Sequence, residues 1–378
     1  MVSVQSYGLC GDGLDPSFAV QAVISSYFNL YWPPGVYNMN IAATISSSSS
    51  FNWLISSGAI LNFSQITISS ASTVIIKGNG TWLQNTGGQP TYSAYLLSVF
   101  NCVNVSITGI KFISLIDAGY TSVFRGVLYV TFPYNGNLFM NNVNATEFST
   151  IAYVRITGPP VHTGTISFVN CTFGRAVRNY DSPLLNINPE TQLGGTVNQV
   201  LLLNNYFSLD LTAAQYENMH VQSALTHFIN MTNCYLSGGV FGISSGAADS
   251  NSSLYVSNSY FTNQTGSCFE LNNFNLVLLQ SNNFLNDINP IPFGANNWQY
   301  GNVVFGKYLN QLFLFNNTIN YMSNPIWDFQ PSNFTELAYN SFSNCPGSSV
   351  AIGTSLAYKY TGNTVTNCGF TVPNQSYP

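Results

Sequence analysis

Leu312-Phe313-Leu314-Phe315-Asn316-Asn317-Thr318-Ile319 is the stretch that decides the fold: a strand-forming apolar run, then asparagine, then a large apolar residue two positions on. The same Asn-x-apolar pattern recurs as Asn205-Tyr206-Phe207, Asn233-Cys234-Tyr235, Asn258-Ser259-Tyr260, Asn282-Asn283-Phe284, Asn317-Thr318-Ile319, Asn340-Ser341-Phe342 and Asn363-Thr364-Val365. The separations are 28, 25, 24, 35, 23 and 23 residues. Self-similarity at such a period means stacked units. Consecutive apolar runs, such as residues 254–256, 276–279 and 312–315, leave no room for helices between them, so the strands must stack parallel in a coil. The expected fold class is therefore all-β, a single-stranded parallel β-helix, or solenoid. Asparagine suits the sharp bend between faces because it tolerates left-handed backbone and its amide bonds local backbone groups. Stacked in register, such amides form ladders. The Phe or Tyr that follows is expected to point inward, where rungs ~4.8 Å apart place like on like. These Asn and aromatic positions read as scaffold.

Composition narrows the function classes. Of 378 residues, 13 are acidic and 8 basic, and charged residues make up 6% of the chain, against roughly 25% in an ordinary soluble domain. With a net charge of -5 there is no basic stripe to neutralise phosphates, which excludes nucleic acid as a partner. No apolar run reaches the length of a membrane span. Few paired carboxylates means little stability to lose on acidification, so an acidic habitat is expected. The start, Met1-Val2-Ser3-Val4-Gln5, lacks the charged and apolar regions of a secretory signal, which points to a removed signal or to release with a virion. Seven cysteines cannot all pair internally. Cys345 and Cys368 occupy equivalent coil positions 23 residues apart, within disulfide reach on adjacent rungs. No Cys-x-x-Cys or Cys/His spacing suggests a metal, and no cofactor is expected.

Near the start stand Val4-Gln5-Ser6-Tyr7-Gly8, Gly11-Asp12-Gly13, residues 18–24 and Tyr31-Trp32-Pro33-Pro34-Gly35-Val36-Tyr37. This series resembles the opening segment of pectate-lyase-like right-handed β-helix proteins, which include phage tailspikes and many extracellular polysaccharide enzymes. The resemblance implies an opening strand, a Gly-Asp-Gly turn, a short capping helix over the open end and a Pro-Pro-Gly turn. Asp15 is read as the helix cap, Pro16 as its first turn, and Phe18, Ala22 and Val23 as its inner face. The expected organisation is 1–40 for this segment, 41–368 for coils and 369–378 for a tail. Connections are expected at 113–136, 174–198, 208–226 and 286–310, where function should sit.

Polygalacturonase-type relatives carry an Asp cluster, a Gly-His-Gly and an Arg-Ile-Lys on successive coils, and none of these appears. Charge is concentrated between 147 and 227, so the candidate catalytic groups are Glu147, Asp181 and Glu217 as acid or base, Arg175 and Arg178 for an acidic sugar, and His220. Phe293, Trp298 and Tyr300 form an aromatic candidate for stacking on sugar faces. Asn62, Asn79, Asn104, Asn144, Asn230, Asn251, Asn263, Asn316, Asn333 and Asn374 head glycosylation sequons. The reading leans away from an enzyme and towards a virion-surface or tail-fibre-like protein that attaches to host-cell glycans, with a virus of an acidophilic archaeon as its sharpest form. A secreted polysaccharide lyase or glycoside hydrolase and an adhesin-like structural solenoid are the alternatives. The expected partners are a cell-surface polysaccharide, other virion proteins and, by the tailspike resemblance, two further copies in a homotrimer. The expected location is the virion surface or the extracellular space.

Overall fold

The structure is a computed structural model that describes residues 1–46, 50–84, 94–114, 125–133, 136–157, 162–175, 183–187, 195–209, 219–286, 301–322, 326–328, 332–346, 357–372 and 375–377. It divides into two compact units, 1–180 with 184–195 and 181–183 with 196–378. Each unit is a stack of coils with three parallel faces. In the first unit, face one runs through Ile66–Ser69, Ala94–Phe100, Arg125–Phe132 and Thr150–Ile156. Face two runs through Phe51–Ile55, Thr73–Gly78, Asn104–Thr108 and Asn137–Asn141, and face three through Gly35–Met39, Ala59–Phe63, Thr81–Gln84 and Lys111–Ser114. In the second unit, face one holds Phe241–Ala247, Ser267–Asn272 and Asn302–Lys307, while face two holds Ser253–Ser257, Leu276–Gln280, Gln311–Phe315 and Phe334–Ala338. Three-residue strands such as Tyr260–Thr262, Asn283–Leu285 and Thr318–Asn320 make its face three. The fold is the right-handed parallel β-helix, the hand that a crossover between parallel strands takes.

All four stretches read from sequence as connections contain a rung of face one: Arg125–Phe132, Leu185–Ile187, the first half of Met219–Thr232, and Asn302–Lys307. Alternation does not reveal Asn302–Lys307 because its outward side chains are also covered. Residues 302–306 are all buried, and a strand buried on both sides reads as a continuous run.

At the start, the helix Ser17–Ser26 packs on Gly35–Met39 and Ala43–Ser46. Its buried residues are Val20, Val23 and Ile24, spaced i, i+3 and i+4, whereas Phe18 is 71% exposed and Ala22 is exposed. Asp15 does not cap it. The carboxylate turns back to accept the backbone N–H groups of Cys10 and Gly11, both at 2.9 Å, and the N-cap residue is Pro16, with no side-chain cap. This braces the Gly-Asp-Gly turn against the Pro-Pro-Gly turn, where the Val36 N–H donates to Gly11 O at 2.7 Å. A Cβ on Gly35 would lie 2.5 Å from that same oxygen, so only glycine permits the approach.

The register of the second unit differs by one residue from the Asn-x-apolar reading at two places. The left-handed residues between faces two and three are Asn204, Asn233, Asn258, Ser281, Asn316, Tyr339 and Gly362. The residue after each turns inward, giving a row of Asn205, Cys234, Ser259, Asn282, Asn317, Asn340 and Asn363. Asn233 and Asn258 are therefore the bends themselves, and Tyr235 and Tyr260 continue the outward row that begins at Tyr206, Tyr206 pairing with Tyr235 and Tyr235 with Tyr260. Tyr206 and Tyr260 are 44% and 51% exposed. The inward row is Phe207, Leu236, Phe261, Phe284, Ile319, Phe342 and Val365. Sequence spacing alone could not separate a bend asparagine from a ladder asparagine, because both tolerate polar turn geometry.

From Asn282 onward the inward residues form a continuous amide ladder. The Asn317 Oδ1 accepts the backbone N–H of Asn282 at 2.9 Å, and its Nδ2 donates to Leu279 O at 2.8 Å and to Asn340 Oδ1 at 3.0 Å. Asn340 repeats this towards Leu314 O and Asn363. In the first unit the equivalent positions are the buried Ile110, Val143 and Cys171. Cys102, Cys171, Cys234, Cys345 and Cys368 each follow a left-handed Asn, and each thiol donates to the carbonyl two residues back at 3.3–3.5 Å. Cys345 and Cys368 stand as separate thiols on adjacent rungs, the Cys345 N–H donating to Cys368 Sγ at 3.4 Å. After the last coil, Gln375–Tyr377 pairs antiparallel with Ala357–Thr361, and Phe370 packs edge-on to Phe342 at 5.7 Å.

Burial pushes the Cys102 and Cys171 thiols up to about 11, Cys345 up to about 12 and the Tyr37 phenol up to about 12, and raises Cys268, Tyr95 and Tyr360 further. A group whose folded value is raised adds stability below its unfolded value and loses that stability as pH climbs through the folded one. Stability should hold up to about pH 9 and then fall progressively, read as a denaturant midpoint at each pH. Asn317→Ala strands the Leu279 carbonyl and the Asn282 N–H, and should cost about 3 kcal/mol by equilibrium unfolding. Asn367→Ala, which puts alanine at an exposed left-handed bend, should cost about 1 kcal/mol, most of it backbone strain.

Candidate functional site

Outward positions on face one carry the chemistry. In the first unit, Tyr129 and Tyr153 are register partners whose rings stack at 5.3 Å and 20°. Tyr95 lies against both, at 5.3 and 6.2 Å, and Phe100 adds a fourth ring 5.5 Å from Tyr129. Gly126 makes this possible: a Cβ there would lie 2.1 Å from the Tyr95 ring. The Tyr95 phenol is held far above its ordinary value, first by burial and then by the neighbouring Tyr153 and Tyr129. Arg155 follows Tyr153 by two residues, on the same outward side.

In the second unit, the outward row Ser244, Glu270, Phe305 crosses three rungs. Asn272 and Lys307 form the adjacent row. Together they bound a depression of about 230 Å³. The Ser244 Oγ donates to Glu270 Oε2 at 2.9 Å, which orients the carboxylate. Lys307 and Asn272 are exposed, whereas Phe305 is 3% exposed and forms the floor. The set offers a carboxylate acceptor, an ammonium donor, an amide and a hydroxyl over an aromatic ring, which suits a hydroxyl-rich ligand. Among the described residues that line this depression, Glu270 is the one carboxylate. Among the described residues, no group of three His, Cys, Asp or Glu is placed to hold a metal.

Of the residues singled out from sequence, Glu147 lies in the first unit at a left-handed turn with φ 67°, its N–H donating to Gly174 O at 2.9 Å. Arg175 closes the strand Thr172–Arg175. His220, in the second unit, is fully buried. Its Nδ1 lies 3.2 Å from Phe241 O and its Nε2 3.1 Å from Ser237 O, and its ring meets Phe207 edge-on. This imidazole braces three strands from inside the coil. Asp181, Glu217, Arg178, Phe293, Trp298, Tyr300 and Asn374 lie outside the described residues. Among the sequon asparagines, Asn79, Asn104, Asn144, Asn251, Asn316 and Asn333 are exposed, while Asn62 donates to Asn38 Oδ1 at 2.9 Å.

Sequence reading missed Glu270 and Lys307. They stand 37 positions apart as isolated charges, and only the 35-residue step from Glu270 to Phe305 reveals that they share neighbouring rungs.

No family model matches the chain, and no curated protein matches its sequence. Among solved structures, it is similar to the family 28 exopolygalacturonase of Yersinia enterocolitica (11% identity, 97% of this chain and 78% of that one, TM-score 0.37). It is also similar to the hyperthermoactive exopolygalacturonase of Thermotoga maritima (9%, 99% and 93%, TM-score 0.35) and to PfbA, a surface adhesin of Streptococcus pneumoniae (11%, 100% and 94%, TM-score 0.31). At such identities and scores no site passes from one to another.

Gly126→Ala should push Tyr95 off the stacked pair. A spectrophotometric titration of the variant should then show one more tyrosine ionising in the ordinary range near pH 10 than in the parent.

Proposed function

We propose that the protein is an attachment module that holds host-cell glycans on the outward surface of face one without cleaving them. The depression bounded by Ser244, Glu270, Asn272, Phe305 and Lys307 carries this reading. Its oriented carboxylate accepts sugar hydroxyls, and the exposed Lys307 and Asn272 donate to sugar oxygens, with the buried Phe305 ring backing them. The tyrosine cluster of the first unit is a surface of the same amphipathic kind. Extracellular work at the surface of a virion, in an acidic habitat, fits a chain with 6% charged residues.

On a glycan array the full chain should retain a subset of glycans, and the solution should contain no shortened product. Glu270→Gln and Lys307→Ala should each weaken retention about tenfold, the loss of one charge-assisted hydrogen bond. Release of shortened oligosaccharides would replace attachment with catalysis, and unchanged retention in both variants would sink the site. An unfolding scan between about pH 2 and 7 tests the habitat: a collapse at the acid end removes that part of the reading.

A further inference from the structure

Face two of the second unit carries a different outward surface. The row Asn230, Tyr255, Leu278, Phe313 continues across four rungs, beside Thr232, Ser257, Gln280, Phe315. Phe228 meets Tyr255 at 5.3 Å, and Phe313 meets both Phe315 and Phe334 at 5.7 Å. These rings are half-buried, standing on the outside of a coil whose inward side chains on the same strands are fully buried. Phe228 and Tyr255 border a depression of about 380 Å³ lined also by Asn230, Thr232, Ser257, Leu278 and Gln280, with no charged side chain among the described residues of its wall. The next residue of the first row, Glu336, is paired with Lys359 at 2.7 Å, so the charge that closes the stripe is already neutralised.

We infer that this stripe is a second glycan site, for a neutral polysaccharide chain lying along the coil axis. The inference rests on the attachment reading for its ligand class but on separate residues. Two observations select the occupant. Four rungs at ~4.8 Å, each offering about 13 Å of strand, make a surface of a few hundred Å², well short of the ~800 Å² per partner of a stable protein interface. A narrow, uncharged strip of rings alternating with amides and hydroxyls matches a polymer that presents C–H faces and hydroxyl edges in turn, and it offers nothing to an anionic one. The rung repeat presents the same kind of contact again at each step along such a chain.

The test uses the full chain in affinity electrophoresis and calorimetry against dextran, mannan and a soluble β-1,3-glucan, with polygalacturonate as the anionic counterpart. At least one neutral polymer should bind. Tyr255→Ala and Phe313→Ala should each weaken that binding tenfold or more, and Tyr255→Phe, which keeps the ring and guards against a folding artefact, should retain most of it. Absence of binding to every neutral polymer, or binding indifferent to Tyr255→Ala and Phe313→Ala, overturns the assignment. So does an oligomer in solution that Phe313→Ser converts to monomer, because the occupant would then be a second copy. Glu270→Gln and Lys307→Ala separate the two sites: if those variants alone weaken neutral-polymer binding, this inference falls while the attachment reading stands.

Discussion

Register between rungs is the constraint on which the rest depends. In a parallel coil every backbone N–H and C=O of a strand must find its partner on the coil before or after, so one slipped residue would exchange the inward and outward side chains of a whole rung. The second unit holds that register at the bend between faces two and three, where Asn282, Asn317, Asn340 and Asn363 bond both to one another and to strand carbonyls of the preceding coil. The amides of Asn282, Asn317 and Asn340 are buried and hydrogen-bonded at both ends, which makes the bend intolerant of displacement. The first unit does the same work differently, with Ile110, Val143 and Cys171 filling the equivalent space and left-handed Gly109, Asn142 and Asn170 making the bends.

Once register is held, the outward face becomes a lattice on which residues far apart in the chain stand as neighbours at fixed spacing. Ser244, Glu270 and Phe305 meet in this way, and so do Tyr255, Leu278 and Phe313. The two lattices differ in chemistry because the faces differ. Face one of the second unit collects an oriented carboxylate and a lysine over a buried ring, whereas face two collects uncharged rings and amides. A rigid scaffold carrying two such surfaces can grip a long polymer at more than one point, which raises avidity without tightening either contact.

Much of the scaffold was legible in the chain. The apolar runs and the asparagines that end them led to a parallel coil, because those residues act through local backbone geometry, and the resemblance of the opening segment implied the helix at its start. Three local readings required correction. Asp15 serves the turn and not the helix, Val20 and Ile24 and not Phe18 face inward, and Tyr235 and Tyr260 stand outside the coil. In each case two positions satisfy the same local rule, and packing against the neighbouring rung selects between them.

The candidate sites were hardly legible at all. The charge-rich segment from 147 to 227 drew attention to His220, which is a buried brace, while Glu270 and Lys307 were not singled out. Sequence by itself determined the winding, its approximate period and the scarcity of charge, since these follow from residue type repeated along one dimension. Only the tertiary structure decided which residues became neighbours across rungs, because coils of unequal length bring together positions that no fixed spacing in the chain marks as partners.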